Sequence, residues 1–466
     1  MMSVKVSNYI SQSEITKECY VVWNRFSPSL LKMNKEAIGF IDDIKRKGGI
    51  EENKGNRSVV EQLLKYKIFF RGDSDSFKGE FIQSVKASVK AIDKNAASLF
   101  NGKKDYAKLT FTNDVCNLRC QYCVNRYKNT SSPAAASSQK RLGLVNKIVD
   151  QFFERKLKNN LAHAKISFNG GEILLDIGLI KEIVEHISRK YSDIKVEYSL
   201  NTNMTLMTEE IARFFKRYNF KVYVSIDGYK GAHDRTRLYQ DGRGSFDDVL
   251  KGLEIFRRYN GKNSIVGFQG TVDNVDTFDP EEVYKMSGYG FDTARLAPNL
   301  LNTSEEDALK KTNLIGRFLD LNVENSFKVT ETYFENLNKL IELDQYSFFF
   351  NCKGLSAYPD IELFFNFSTL RLSNLCGYIS NATMPFEELA YDIYNTKLWK
   401  VTIGFIRERF NSLLRNCIDC GAVGICRGGC IYTGLDKENE VNRAACVYQR
   451  ELLKIYLQKL YKDKMN

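Results

Sequence analysis

The sequence predicts an α/β fold built on parallel strands joined by right-handed crossovers, arranged as a partial barrel or an open sheet. Two observations carry this expectation. From Ala107, six apolar runs suited to strands alternate with stretches of helical period across about 190 residues, a rhythm proper to βα units. On either side the rhythm stops: residues 1–105 read as a small α+β module, and the last quarter of the chain is irregular, aromatic and rich in cysteine.

In order along the chain, YVVWNRF (Tyr20 to Phe26) predicts a strand, and SLLKMNKEAIGFIDDIKRK, from Ser29, predicts a helix stopped by Gly48 and Gly49. A second short helix is expected around VVEQLLKYKIFF, from Val59. The strands of the alternating region are AKLTFTN, AKISFNG, KVEYSLNTN, KVYVSID, NSIVGFQGTV and FDTARLAP. Its helices are LVNKIVDQFFERKL, IGLIKEIVEHISRKY, TEEIARFFKRY, SFDDVLKGLEIFRRY and PEEVYKMSG. In such folds chemistry gathers at the carboxyl ends of the strands. Residues 303–345 read as a helical linker, TSSPAAASS at 130–138 as a loop, and VYQRELLKIYLQKLY as a closing helix.

Composition narrows the function. A chain of 466 residues with 43% hydrophobic and 27% charged content is neither disordered nor membrane-spanning, and no run of about 18 apolar residues occurs. The N-terminus lacks a basic segment followed by an apolar one, so a cytoplasmic location with no membrane partner is expected. The net charge of +11 contains no basic run, though residues 1–105 hold 19 Lys or Arg against 13 Asp or Glu; a solvated lysine-rich surface and a role in binding an acidic partner are equally open, and no nucleic-acid partner is expected. Eleven cysteines, an odd number, are too sparse for a disulfide scaffold. Three fall within eight residues, seven in the last quarter, and Cys19 stands apart. Clustered thiols in a reducing compartment are metal ligands or catalysts more often than bridges.

The first cluster, Cys116-Asn-Leu-Arg-Cys120-Gln-Tyr-Cys123, follows the first strand of the alternating region on a strand-to-helix loop. Three thiolates so placed can hold three irons of a cubane and leave the fourth open to a chelating small molecule. Zinc is the competing metal, but structural zinc sites close with four ligands, and His163, His186 and His233 are all distant from this loop in sequence.

Further motifs end the next strands: Phe168-Asn-Gly-Gly-Glu172, Asn201-Thr-Asn203 and Val224-Ser225-Ile-Asp227-Gly228, followed by His233-Asp-Arg-Thr-Arg237 and Gly244-Ser-Phe246. Singly each is weak, since Gly-Gly-Glu is more often a plain turn and Arg237 alone a surface arginine. In this order they make roughly residues 107–300 resemble the peptide-modifying branch of the radical S-adenosylmethionine (SAM) superfamily. That resemblance implies a partial (β/α)6 TIM-like barrel in which Cys116, Cys120 and Cys123 ligate a 4Fe-4S cluster and Tyr122 lies near the adenine of SAM. Gly170, Gly171 and Glu172 would hold the amino group, and Asn203, Ser225 and Arg237 would face ribose or carboxylate, where an arginine suits a carboxylate through paired hydrogen bonds. Ile173 stands where the family usually has Pro, and Met204 where Gly usually follows Asn.

Cys417-x2-Cys420-x5-Cys426-x3-Cys430, then Cys446, with Cys352 and Cys376 upstream, resembles the SPASM extension of radical SAM enzymes that modify peptides. The resemblance implies two auxiliary 4Fe-4S clusters, three clusters in all. Cys417, Cys420, Cys426 and Cys446 would bind the outer auxiliary cluster, and Cys352, Cys376 and Cys430 the inner one. Two cubanes need eight ligands and seven are present, so the inner cluster either has an open iron for a substrate thiolate or takes Cys19 or a non-cysteine ligand. The implied division is an N-terminal module at 1–105, a radical SAM core at 106–302, a helical linker at 303–345 and an irregular Fe-S domain with its C-terminal helix at 346–466.

The reaction implied by the resemblance begins with an electron from the reduced cluster, which cleaves SAM and yields a 5′-deoxyadenosyl radical that takes hydrogen from substrate. The expected product is a thioether or carbon–carbon crosslink in a ribosomally made precursor peptide, with a donor such as flavodoxin or ferredoxin. A sulfatase-maturase type of side-chain oxidation is the alternative, but Gly377 follows Cys376 where those enzymes carry an Asp as general base. Arg371 also replaces the Gly that usually precedes this cysteine by five residues. A zinc-stabilised binding protein is a third reading, which leaves the strand-end motifs without a purpose. The N-terminal module resembles in position a leader-recognition module, which binds by strand addition, and a structural cap is the plainer alternative.

Overall fold

The computed structural model describes residues 3–27, 29–123, 138–261, 265–301, 303–341, 361–375, 382–426 and 441–462. Strands β1 (Ser3–Val6), β2 (Ile10–Thr16), β3 (Cys19–Asn24) and β4 (Leu30–Asn34) lead into helix α1 (Lys35–Lys47). The stretch from Ser29 therefore divides at Asn34. Up to there Leu31 and Met33 alternate inward against β3, and the helical period starts only where the Asn34 side chain accepts from the Ala37 amide at 2.8 Å. Gly48, at φ 78°, closes α1 in the left-handed region. Next come β5 (Ile50–Glu51), α2 (Arg57–Lys65), β6 (Phe69–Arg71) and the long α3 (Phe77–Phe100). They complete two antiparallel sheets, β5-β1-β6 and β2-β3-β4.

The body alternates β7 (Lys108–Asn113), α4 (Ser138–Lys158), β8 (His163–Gly170), α5 (Ile177–Lys190), β9 (Lys195–Thr202), α6 (Glu209–Arg217) and β10 (Lys221–Ser225). It continues through α7 (Lys230–Thr236), α8 (Phe246–Tyr259), β11 (Ile265–Val272), α9 (Pro280–Tyr284) and β12 (Thr293–Pro298). Strands β7 to β12 lie side by side in chain order and all pair in parallel, the partial (β/α)6 barrel. Each helix buries one stripe, as in α5, whose Ile180, Ile183, Val184 and Ile187 pack onto the sheet. Fully buried apolar side chains such as Phe111 and Phe168, ring centroids 5.5 Å apart, fill the core.

The sheet does not stop at residue 302. After α10 (Glu305–Glu324), β13 (Lys328–Thr330) adds to β12 and is followed by α11 (Thr332–Ile341). β14 (Glu362–Asn366) then returns to pair in parallel with β7, and β15 (Arg371–Ser373) and β16 (Thr383–Pro385) extend that edge to ten strands. Arg371 ties β15 to β16 through Thr383, donating to its hydroxyl at 2.7 Å and its carbonyl at 2.8 Å. Within the stretch read as irregular lies α12 (Thr396–Asn416), whose Trp399, Ile403, Ile406, Phe410 and Leu413 are buried at helical spacing. The described chain ends with α13 (Val423–Cys426) and α14 (Arg443–Lys462).

The N-terminal module is built into the C-terminal region. Trp23 Nε1 and Ser11 Oγ both donate to the Gly421 carbonyl, at 2.9 and 3.2 Å, and Arg25 Nη1 donates to the Asp419 carbonyl at 3.0 Å. The Gly424 amide donates to the Arg25 carbonyl at 2.6 Å, so close that a Cβ on Gly424 would stand 2.6 Å from that oxygen. These bonds grip the segment joining Cys417, Cys420 and Cys426. Trp23→Phe keeps the ring buried and removes one donor, so a loss of about 1 kcal/mol in urea denaturation is expected. A larger loss would mean that the ring packing itself is disturbed.

Candidate active site

The site forms where β7, β8, β9 and β10 end. The cysteine loop leaves β7 and is bridged to the end of α7 and the segment that follows: the Arg119 amide donates to the Leu238 carbonyl at 2.6 Å and the Gln121 amide to the Thr236 carbonyl at 3.0 Å. Cys120 and Cys123 lie close enough to Cys116 that charge on either opposes its ionisation, and burial pushes Cys116 up to about 12 and Cys120 to about 11.

The Gly-Gly-Glu backbone holds this loop from below. The Gly171 amide donates to the Asn113 carbonyl at 2.9 Å and the Glu172 amide to the Val115 carbonyl at 2.8 Å, one residue before Cys116. Gly170 has φ 126°, and a Cβ there would lie 2.4 Å from the Asn113 carbonyl oxygen. On Gly171 a Cβ would lie 2.0 Å from that of Val115. The glycines thus let two strand ends touch. The Glu172 carboxylate is wholly buried and turned toward β9, accepting from Thr202 Oγ1 at 2.7 Å, the Leu174 amide at 3.0 Å and the Asn203 amide at 2.7 Å. Burial raises its pKa, and those donors oppose the rise.

Asn203 connects β9 to the loop: its Nδ2 donates to Asn117 Oδ1 at 2.9 Å and stands 4.0 Å from Cys116 Sγ. Met204, in place of the family's Gly, keeps the left-handed backbone with φ 63°, held by a fully buried side chain. Ile173 is also fully buried and opens a short 3-10 turn that Glu172 caps. Ser225 donates to Asn201 Oδ1 at 3.0 Å.

Tyr122 and Arg237 meet on Asp227, a residue present in the strand-end motif to which the sequence assigned no role. Asp227 Oδ2 accepts from Tyr122 Oη at 2.6 Å and Thr236 Oγ1 at 2.8 Å. Its Oδ1 accepts from the Thr271 amide at 2.8 Å and pairs with Arg237 Nε at 3.0 Å. The Arg237 guanidinium also stands 5.6 Å from the Tyr122 ring centroid. Behind them His233 is fully buried, with Nδ1 facing the Asp227 amide and Nε2 bonded to Ser245 Oγ at 3.0 Å, which in turn donates to the Arg237 carbonyl. Gly244 fits against Asp234, where a Cβ would come 2.3 Å from its carboxyl carbon. The two downstream motifs thus interlock.

Burial depresses the pKa of His233 to about 4, whereas an unfolded histidine titrates near 6.5. Between those values the unfolded chain binds more protons, so this contribution to stability is whole above about pH 6.5 and is lost as the pH falls toward 4. The difference amounts to about 3 kcal/mol. Denaturation of the parent and His233→Asn chains from pH 7 to 4.5 should show a steeper decline in the parent. Parallel curves would refute it.

A second site lies where α12, α13 and α14 meet. Cys417, Cys420, Cys426 and Cys446 line one cavity of about 290 Å³ together with Arg443, Gln449 and Arg450. Burial pushes Cys417 up to about 11 and raises Cys446 as well. Cys19 is buried on β3 beside Tyr461, fifteen residues along α14 from Cys446, roughly 22 Å at helical rise. Cys352, Cys376, Cys430 and Gly377 lie outside the described residues.

A cubane fits the first loop on the chemistry of its donors: three mutually close thiols, Cys120 buried and Cys116 and Cys123 half-buried, with the Leu118 amide donating to Cys116 Sγ at 3.4 Å. Among the described residues no three Cys, His, Asp or Glu side chains are placed to hold a single metal ion. Also among them, no helix is long and apolar enough to cross a membrane.

Residues 111–312, which hold the barrel, the cysteine loop and the strand-end contacts, match the Radical SAM superfamily, whose members use SAM and a 4Fe-4S cluster. Several of the relatives this chain matches are anaerobic sulfatase-maturating enzymes. Over 165 residues the chain is 34% identical to the cysteine-type anaerobic sulfatase-maturating enzyme of Clostridium novyi, covering 35% of this chain and 42% of that one, so it spans less than half that relative's length. It is 22% identical to the radical SAM cyclopropyl synthase TigE of Paramaledivibacter caminithermalis over 97% of this chain and 91% of that one. Among solved structures, anSMEcpe with bound AdoMet and the Cp18Cys peptide shares the fold, with a TM-score of 0.60 and 21% identity over 77% of this chain and 100% of that one.

Proposed function

We propose that the enzyme modifies a ribosomally made precursor peptide, joining two of its atoms as a thioether or carbon–carbon bond, and that it carries auxiliary 4Fe-4S clusters beside the SAM cluster. The observation that carries this is the second cysteine site: four thiols distant in sequence from the SAM loop line one cavity large enough for more than a single ion. A relative spanning nearly the whole chain is a cyclopropyl synthase, which favours ring or crosslink formation over the sulfatase-maturase reaction. Cys116, Cys120 and Cys123 would hold the cluster that, once reduced, cleaves SAM to give the hydrogen-abstracting radical.

The substrate pocket in this reading is the barrel lumen, a cavity of about 320 Å³ below the strand ends. Thr112, Ser167, Asn169, Ser199, Asn201 and Gln269 line it, amides and hydroxyls that match the donors and acceptors of a peptide backbone. Arg237, Tyr122 and Asn203 would orient SAM above it. Gly170 and Gly171 would present carbonyl oxygens to its amino group, while Glu172, its carboxylate occupied by three donors, would act by fixing those glycines. A flavodoxin or ferredoxin would supply the electron, and the N-terminal module would bind the leader by strand addition.

The test is anaerobic co-expression with a candidate precursor, followed by mass spectrometry. A loss of about two mass units with no hydrazide-reactive aldehyde is expected. An aldehyde in the product would instead establish the sulfatase-maturase reaction.

A further inference from the structure

The second cysteine site holds two polar groups aimed at one sulfur. Cys426 Sγ touches Gln449 Oε1 at 2.6 Å, and Gln449 is buried, projecting from α14 into the cavity. The Tyr333 hydroxyl is also buried beside Cys426 and Cys420, with the Cys426 sulfur as its hydrogen-bonding neighbour. Tyr333 is held there by its own backbone. It sits in the first turn of α11, where Glu331 accepts from the Phe334 amide at 2.7 Å. A neutral thiol is a weak acceptor for that hydroxyl, whereas a thiolate is a strong one.

A thiol can donate to the Gln449 oxygen, but a metal-bound thiolate has no proton and can only accept. The amide would then turn to present Nε2, a rotation that exchanges two atoms of nearly equal size. Tyr333 Oη would gain a charged acceptor in the same change. On the reading that Cys426 ligates an auxiliary cluster, we propose that Gln449 and Tyr333 are positioning residues that donate hydrogen bonds to the Cys426 sulfur and raise that cluster's reduction potential. Donors to a ligand sulfur withdraw charge and favour the reduced form, which carries one more negative charge.

The experiment uses the full-length enzyme, reconstituted anaerobically and titrated electrochemically under electron paramagnetic resonance. Tyr333→Phe and Gln449→Met preserve shape and remove the donors. Both should retain the parent's iron content and the midpoint of the SAM-cluster signal, while the auxiliary midpoint moves negative, furthest in the double variant. An unchanged auxiliary midpoint in Tyr333→Phe and Gln449→Met at parental iron content overturns the tuning role. Loss of iron in Gln449→Met leaves Tyr333→Phe to decide by the same criterion. If Cys417→Ala and Cys446→Ala alter neither iron content nor any signal, the auxiliary-cluster reading fails, a result distinct from an unshifted potential.

Discussion

On the proposed function, Cys120→Ala is expected to abolish SAM cleavage and remove one cubane's worth of iron, while iron held at the proposed C-terminal site stays. Cys120 is 7% exposed and its carbonyl accepts from the Cys123 amide at 3.1 Å, so it stands in the middle of the turn that brings the three thiols together. With two thiolates left, a second iron loses its protein ligand and the vacancy meant for one chelating molecule is no longer unique. Asn203→Ala provides the graded comparison. It removes the contact that steadies Asn117 and approaches Cys116, and the loss of such an outer partner costs about 10–100-fold in metal affinity or activity. Loss of the ligand itself must exceed that. The readouts are iron content and 5′-deoxyadenosine formation. Substantial 5′-deoxyadenosine from Cys120→Ala would refute the ligand assignment.

The barrel was legible because its signal is periodic: six buried strands and the stripes of their helices repeat one pattern from Lys108 to Pro298. The strand-end motifs were legible by type, and the structure supplies their purpose. Gly170 and Gly171 are glycines because Asn113 and Val115 leave no room for a Cβ, a fact about a neighbouring strand that spacing alone does not contain. Asp227 was read only as part of a motif, since its four partners come from the cysteine loop, α7, β11 and Arg237, and no local pattern announces such a convergence. Leu30–Asn34 was hidden within a helical expectation because one run of apolar residues serves both periods until Asn34 breaks it. α3 and α12 escaped notice for a related reason: much of each stripe is buried against the other helix, distant in sequence, with Trp399 Nε1 donating to Asp93 Oδ1 at 3.1 Å. Gln449 and Tyr333 could not be singled out at all, because a lone Gln or Tyr carries no motif until a sulfur is seen beside it.

Asp227→Ala should cost about 3–5 kcal/mol, the usual penalty when one partner of a buried ion pair is removed. Its carboxylate is 1% exposed and Arg237 is nearly buried, so the deletion strands a guanidinium and leaves the Tyr122 and Thr236 hydroxyls and the Thr271 amide without their acceptor. Because Tyr122 lies between Cys120 and Cys123, the damage reaches the cluster loop as well. Stability and function can be separated with a second substitution. Asp227→Ala combined with Arg237→Met removes the stranded charge, and replacing both members of a buried pair by apolar groups is often nearly neutral for folding. The double variant should therefore recover much of the denaturation midpoint that the single one loses. It should not recover SAM binding if Arg237 meets the ligand's carboxylate, since methionine cannot offer paired hydrogen bonds. Equilibrium dialysis with SAM on the reconstituted double variant decides the point. Parental affinity in a refolded double variant would confine Arg237 to holding Asp227, whereas weak binding by a chain of restored stability would place the guanidinium on the ligand.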